Sequence, residues 1–285
     1  MKSILKYLSF FLLLLSFGAC TSSRYIHHAP IEANHQRLQK QYDFKISGSV
    51  FNGIIQRNKD LNNNFQISFS PLKQIGLQLG RYNFNSSSTK IDSWKGALGG
   101  YYHFNLEHKK RKKQSKYSLS KGISIDLYSG IEWKKIRQNG IDRNGIEKAL
   151  LKSRNFFIES GIQYQTKLFG IGSTLKFNSI NYEEGNYNHE IDLRHSTPQS
   201  PNNILLDHFL IIKDNAGPYN FIEGSIYLIT GDQRANLYAG YTRSFQPIND
   251  SFVNVLYIAY AGLNLNIDWF YDSYLKKRKQ VRKKK

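Results

Sequence analysis

The sequence predicts an all-β protein, a closed antiparallel up-and-down β-barrel of about ten strands of the outer-membrane type. Three observations predict this fold. Apolar and polar residues alternate with a period of two from Tyr42 onward. Short and long connections alternate between these segments. No apolar run after the N-terminal region is long enough for a transmembrane helix.

Residues 1–19 have the composition of an export signal. Lys2 and Lys6 precede an apolar stretch that ends at Phe17, and two small residues precede Cys20. The stretch is too short to span a bilayer as a helix. We therefore expect residues 1–19 to be a signal peptide that is removed.

Cys20 is the only cysteine of the chain, which excludes an intramolecular disulfide. A lone thiol at the cleavage point of an export signal indicates lipidation, with palmitate among the expected acyl chains. Phe17 departs from the leucine usual three residues before such a cysteine, and the alternative is an ordinary signal peptide with a chance cysteine. We expect residues 20–40 to form a lipidated tether.

The alternation predicts the barrel within residues 41–271, followed by a basic C-terminal tail, 272–285. Apolar residues occupy odd positions from Ile123 to Trp133, with mostly polar residues between them. An even number of strands places both termini on one side. The predicted strands are 42–54, 63–71, 74–85, 96–107, 123–134, 156–167, 171–178, 219–230, 233–245 and 253–269.

The connections provide the second signal. Those near residues 70–73, 169–170 and 231–233 are short, as in the turns of outer-membrane barrels. The long connections are predicted at 55–62, 86–95, 136–153 and 183–217. The basic segment 108–121 is an exception, because it falls on the side of the short turns.

Alternation alone does not say which face of the strands is outside. A membrane barrel is apolar outside, whereas a tethered periplasmic lipocalin-like barrel would be apolar inside and bind a hydrophobic ligand. Tryptophans near predicted strand ends, Trp94, Trp133 and Trp269, favour the membrane form as interface aromatics. The candidate luminal polar residues are Asp126, Glu132, Glu159, Gln163, Lys176 and Glu223.

The formal net charge is +19, and much of the excess is local. One run comprises Lys109, Lys110, Arg111, Lys112 and Lys113, and a second comprises residues 276–285. We expect no nucleic-acid partner, because an exported chain rarely meets DNA. Outer-membrane lipid is the expected partner, with the first run in contact with anionic lipid or lipopolysaccharide headgroups. The sequence identifies no protein partner.

Few residues suggest chemistry. His189, Glu190, Asp192 and His195 are metal-ligand types, but their spacing is not that of a helical zinc site, so we predict no metal and no cofactor. A lipid-modifying enzyme would need a serine or carboxylate beside a histidine, and the candidates are His103 and the His195-Ser196 pair.

The apolar segment 204–212 is expected to be a lid over the barrel mouth.

The chain resembles the small outer-membrane β-barrel lipoproteins of bacteroidete-type bacteria. The resemblance rests on Cys20 with Arg24-Tyr25 and a proline-containing tether, the first strand 44–49, the tyrosines Tyr82, Tyr101 and Tyr102, and the late strand 237–241. It covers nearly the whole mature chain and implies an outer-membrane location without catalytic residues. The start Thr21-Ser22-Ser23 lacks an acidic run, which indicates an anchor on the periplasmic side.

The expected function is therefore that of a lipid-anchored outer-membrane barrel with a structural or interaction role and no enzymatic activity. Two alternatives stay open, the lipocalin-like barrel and the lipid-modifying enzyme.

Overall fold

The computed structural model describes nine stretches of the chain, and these form ten strands numbered in chain order. The stretches are residues 38–52, 62–85, 89–106, 121–142, 145–166, 169–191, 218–231, 235–245 and 257–267. The strands are β1 (Phe44–Asn52), β2 (Asn62–Leu72), β3 (Ile75–Asn85), β4 (Thr89–Asn105), β5 (Gly122–Asp142), β6 (Gly145–Gln165), β7 (Phe169–Ile191), β8 (Tyr219–Gly231), β9 (Ala235–Phe245) and β10 (Tyr257–Asn266). No helix in these stretches is both long and apolar enough to cross a membrane.

The ten strands form one closed barrel. Each strand pairs antiparallel with the next along the chain, and β1 pairs with β10. Closure satisfies the backbone hydrogen bonds of both strands that would otherwise be edges. The predicted fold, a closed antiparallel barrel of the outer-membrane type, is confirmed.

The two ends of the barrel differ. β1 begins and β10 ends at the same end, which we call the near end, and the opposite end is the far end. Because the strands alternate in direction, the predicted basic segment 108–121 joins β4 to β5 at the near end. The chain leaves β10 toward the basic tail at this end as well.

Strands β5, β6 and β7 are the longest, with 21, 21 and 23 residues. The prediction of a long loop at 136–153 was therefore wrong, since β5 continues to Asp142 and β6 starts at Gly145. The alternation did not show this extension, because along β5 the apolar residues move from outward to inward positions. Ile136 is buried inside the barrel, whereas Lys135 and Arg137 face outward. The predicted loops 86–95 and 183–217 likewise begin or end within strands β4 and β7.

The outer face of the barrel carries an apolar band, which we define on β4 and β5. Its outward positions run from Trp94 to Phe104 and from Ile123 to Trp133, and these two segments lie opposite each other. Each covers about 11 residues, the length that a tilted strand needs to cross a bilayer. Exposed large apolar side chains continue around the barrel, among them Leu79, Ile158, Leu175, Leu228 and Leu263.

The lumen is polar where the exterior is apolar. All six candidate luminal residues of the sequence analysis are buried, each with 5% or less of its surface exposed. Apolar side chains fill the lumen toward the far end, where Phe51, Tyr82, Phe84, Ile136 and Leu151 belong to one buried cluster. The structure thus has the face assignment of a membrane barrel and reverses that of a lipocalin.

Tyrosines and glycines on neighbouring strands pack the lumen near β8, β9 and β10. Tyr227 lies opposite Gly172, Tyr238 opposite Gly262, and Tyr260 opposite Gly240. In each pair the tyrosine ring occupies the space in which a Cβ atom on the glycine would lie. Only glycine lets the rings lie flat against the barrel wall, which explains its presence inside these strands.

The chain before β1 packs into the near-end mouth. Leu38 is 1% exposed and lies beside Gly76 of β3. The Gln39 side-chain amide donates a hydrogen bond to Gln165 Oε1 over 3.4 Å. The end of the predicted tether 20–40 is therefore part of the barrel core.

Candidate functional site: the polar lumen and the outer rim

The centre of the lumen holds a network of ionic and amide side chains that spans β4 to β8. Inward positions alternate along each strand, so cross-strand pairing brings polar residues of five neighbouring strands together. We call this set the luminal network. It consists of Ser93, Glu132, Lys134, Asn155, Lys176, Asn178 and Glu223.

Glu132 is the centre of the luminal network. Its carboxylate accepts hydrogen bonds from Ser93 Oγ over 2.5 Å and from Asn155 Nδ2 over 3.0 Å. The Lys134 Nζ atom lies 3.3 Å from the carboxylate, and Lys176 Nζ lies 4.0 Å from it. A buried carboxylate needs such partners, since transfer of an unpaired charge out of water is very costly.

Lys176 connects this carboxylate to the opposite side of the network. Its Nζ atom lies 3.7 Å from Glu223 of β8 and 4.7 Å from the centre of the Phe157 ring. Asn155 donates a second hydrogen bond to Asn178 Oδ1 over 2.8 Å. The charges of the network thus neutralise one another within the lumen.

The luminal network leaves no room for a wide aqueous channel at its level. Glu132, Asn155 and Asn178 each have 0% of their surface exposed, and Glu223 has 1%. Water does not reach these side chains. At this level the barrel is filled by its own residues, as is usual for a barrel of this size.

A histidine and a serine meet at the near end of the lumen. The Nδ1 atom of His103 on β4 lies 2.9 Å from Ser124 Oγ on β5. The two residues are cross-strand partners, and Gly122 leaves space for the imidazole ring. Sequence analysis had named His103 but not Ser124, because the two are distant in sequence and only the β4–β5 register joins them. The pair has the residue types of a nucleophile and its base.

The far edge of the apolar band forms an aromatic and basic row on the outer surface. Trp94 and Trp133 are cross-strand partners, 56% and 48% exposed. Arg81 on β3 lies opposite Trp94, with its guanidinium 5.0 Å from the Trp94 ring. Arg154 on β6 lies opposite Trp133. Both tryptophans lie inside strands, since β4 and β5 extend beyond the band.

Several predicted site residues lie outside the described residues. These are Cys20, the basic run Lys109, Lys110, Arg111, Lys112 and Lys113, the third tryptophan Trp269, the loop residues Asp192, His195 and Ser196, and the segment 204–212. His189 and Glu190 belong to strand β7 rather than to a loop. In the described stretches no group of three or more His, Cys, Asp or Glu side chains could hold a metal ion.

The predicted luminal residues did not include four members of the luminal network, Ser93, Lys134, Asn155 and Asn178. Lys134 and Asn178 lie at inward positions of predicted strands, and the alternation could have identified them. Ser93 lies in a predicted loop, and Asn155 lies just before a predicted strand. The sequence analysis also missed the outward cations beyond the tryptophans, because most of them lie in segments that were predicted to be loops.

Comparison with solved structures finds similar chains. The barrel is similar to a solved structure of OmpT, folded in vitro, an outer membrane protein of Vibrio cholerae. The two are 6% identical, the match covers 79% of this chain and 96% of that chain, and the TM-score is 0.25. No family model and no curated protein matches the sequence. A likeness at this level carries no argument about function.

Proposed function

We propose that the protein is a lipid-anchored barrel of the outer membrane with a structural or interaction role rather than a transport role. The observation that carries the proposal is the exterior apolar band, opposed by a polar and occluded lumen. A soluble protein would have to expose the whole band to water, which is unusual for patches of this size. In a bilayer the band meets lipid chains, and each backbone group is paired within the closed sheet.

The filled lumen supports a role without solute passage. The luminal network and the apolar cluster beyond it are buried and fill the lumen where they lie. Interaction then takes place at the outer surface or at the ends. The anchor at Cys20 holds the near end at the periplasmic side, because β1 follows the tether directly.

Heat-modifiable gel migration tests the membrane part of this proposal. We expect the unboiled protein from the outer-membrane fraction to migrate as a compact band and to need detergent for solubility. A Cys20→Ala variant should keep both properties, because the barrel itself holds the protein in the bilayer. A variant freely soluble in the periplasm would instead show a tethered soluble barrel and contradict the proposal.

Two further experiments test the lipid anchor at Cys20 and the closed lumen separately. Metabolic labelling with an alkyne palmitate should mark the wild type and not the Cys20→Ala variant. In planar bilayers the purified protein should give no steady porin-like conductance, since the luminal network closes the barrel. Label in both proteins would contradict the anchor, and a stable open channel would contradict the structural role.

A second candidate function is ester chemistry on lipids at the His103–Ser124 pair. The observation that favours it is the 2.9 Å distance between His103 Nδ1 and Ser124 Oγ. The imidazole would take the hydroxyl proton as the serine attacks an ester carbonyl, and would give it to the alcohol that leaves. Water would then hydrolyse the acyl-serine and release the fatty acid. Such an enzyme further requires an oxyanion site beside the serine.

The test is release of fatty acid from phospholipid vesicles that contain the protein. Activity in the wild type that is lost in Ser124→Ala and His103→Gln supports the enzyme. The control is Ser129→Ala, on the same strand but the exposed outer face. Equal release from all four proteins, or none, would exclude this candidate.

A further inference from the structure

The outer surface beyond the two tryptophans is strongly basic. We call this surface the basic rim and define it by the outward-facing cations on β3 to β6 at or just beyond the far edge of the apolar band. It comprises Arg81, Lys90, Lys135, Arg137, Lys152 and Arg154. It lies at the opposite end of the barrel from the connection between β4 and β5.

The strand register places like charges side by side in the basic rim. Lys90 on β4 lies directly opposite Arg137 on β5. Side chains in such positions have their Cβ atoms about 5 Å apart, and like charges there destabilise the sheet. Lys135 and Lys152 are also cross-strand partners, but each lies opposite a carboxylate residue on its other side, Asp92 on β4 and Glu184 on β7. An anion bound beside Lys90 and Arg137 would remove the repulsion between these two cations, so their arrangement favours a negatively charged ligand.

Two ion pairs frame the basic rim. Arg81 pairs with Asp92 over 3.2 Å, and Arg154 pairs with Glu183 over 2.8 Å. Each arginine also lies opposite a tryptophan, Trp94 or Trp133. The cations between these flanks, Lys90, Lys135, Arg137 and Lys152, are exposed on the outer surface at this level.

The position of the basic rim selects one kind of anion. On β5 the consecutive outward side chains pass from Ile131 and Trp133 to Lys135 and Arg137. A molecule that covers both parts must be apolar at one end and anionic at the other. An anionic membrane lipid has this chemistry, whereas a soluble anion would contact only the rim.

We propose that the basic rim binds the phosphate-bearing headgroup of an anionic membrane lipid, with the acyl chains of that lipid along the apolar band of β4 to β6. The proposal rests on the proposed function, since it requires the barrel to lie in a bilayer. It assigns the ligand to the far end of the barrel, where Trp94 and Trp133 mark the level of the headgroups.

The experiment uses the full chain inserted into vesicles of phosphatidylcholine with and without phosphatidylglycerol. Gel migration first reports insertion into phosphatidylcholine alone. Native mass spectrometry after mild detergent extraction then counts the lipids that remain bound. The variant is Lys90→Gln/Arg137→Gln, and its matched control is Lys73→Gln/Lys121→Gln, which removes two exposed cations at the near end.

We expect the wild type and the control to retain phosphatidylglycerol in preference to phosphatidylcholine. The rim variant should lose this preference by about tenfold, because each cation near an anionic lipid surface contributes to binding. A Lys90→Arg/Arg137→Lys variant should keep it, since it retains both charges.

Several results would overturn the proposal. Insertion without a lipid preference contradicts the inference and leaves the proposed function standing, whereas failure to insert contradicts both. An equal loss in the rim variant and the control would show an effect of net charge. Displacement of the lipid by inorganic phosphate alone would show a site for soluble anions.

Discussion

Trp94 on β4 and Trp133 on β5 lie directly opposite each other on the outside of the barrel, at the edge where apolar residues give way to cations. Amphipathic rings favour the boundary between hydrocarbon and headgroups. We therefore propose that the pair marks one membrane interface on this side of the barrel.

Quenching of tryptophan fluorescence by brominated lipids tests this level. A Trp269→Phe variant retains only Trp94 and Trp133, because the chain has three tryptophans. We expect strongest quenching by lipids brominated near the headgroup and weaker quenching by those brominated near the chain end. Strongest quenching from the chain ends would place the pair in the bilayer centre and contradict the band.

A charge placed in the apolar band should lower the stability of the inserted barrel. Leu127 is 57% exposed near the middle of the band on β5. Leu127→Arg should destabilise the barrel by about 2–4 kcal/mol in a bilayer, measured by urea unfolding in vesicles. Asn139→Arg on the same strand and face lies beyond the band and should change little. Equal effects would show that the two positions share one environment.

Removal of Glu132 should destabilise the barrel, because two buried lysines would lose their carboxylate partner. Glu132→Ala leaves Lys134 and Lys176 buried without this carboxylate, at a cost of about 3–5 kcal/mol. The control is Glu183→Ala, which breaks the exposed ion pair with Arg154 and should cost below about 1 kcal/mol. Thermal loss of the compact gel band measures both, and similar losses would contradict the central role of Glu132.

The tyrosine and glycine pairs predict that the effect of a Gly→Ala substitution on stability depends on whether a tyrosine ring lies against the glycine. A Cβ atom on Gly240 would meet the Tyr260 ring and the Tyr227 Cβ atom. Gly240→Ala should therefore cost about 1–3 kcal/mol of stability. A Cβ atom on Gly48 has nothing within 4 Å, and Gly48→Ala should be nearly neutral. A destabilised Gly48→Ala with an unchanged Gly240→Ala would show that ring packing is not the cause.

Much of the barrel could be predicted because a half-buried strand shows its pattern in a short window. Asp126, Glu132 and Glu159 could be named as luminal from their alternation with apolar neighbours. The far-end parts of β5 and β6 could not, because there the apolar positions change from the outward to the inward face. In a short stretch of sequence, that change looks like the end of a strand.

The sequence by itself determined the strand-rich pattern, the even number of strands and the residues that share a face, since these follow from a period of two. Only the tertiary structure decided which face meets the lumen and which residues become partners. Glu132 meets Asn155, His103 meets Ser124, and Lys135 lies beside Lys152 because of strand register. Register depends on how all ten strands close into one barrel, and a sum of local preferences does not contain that information.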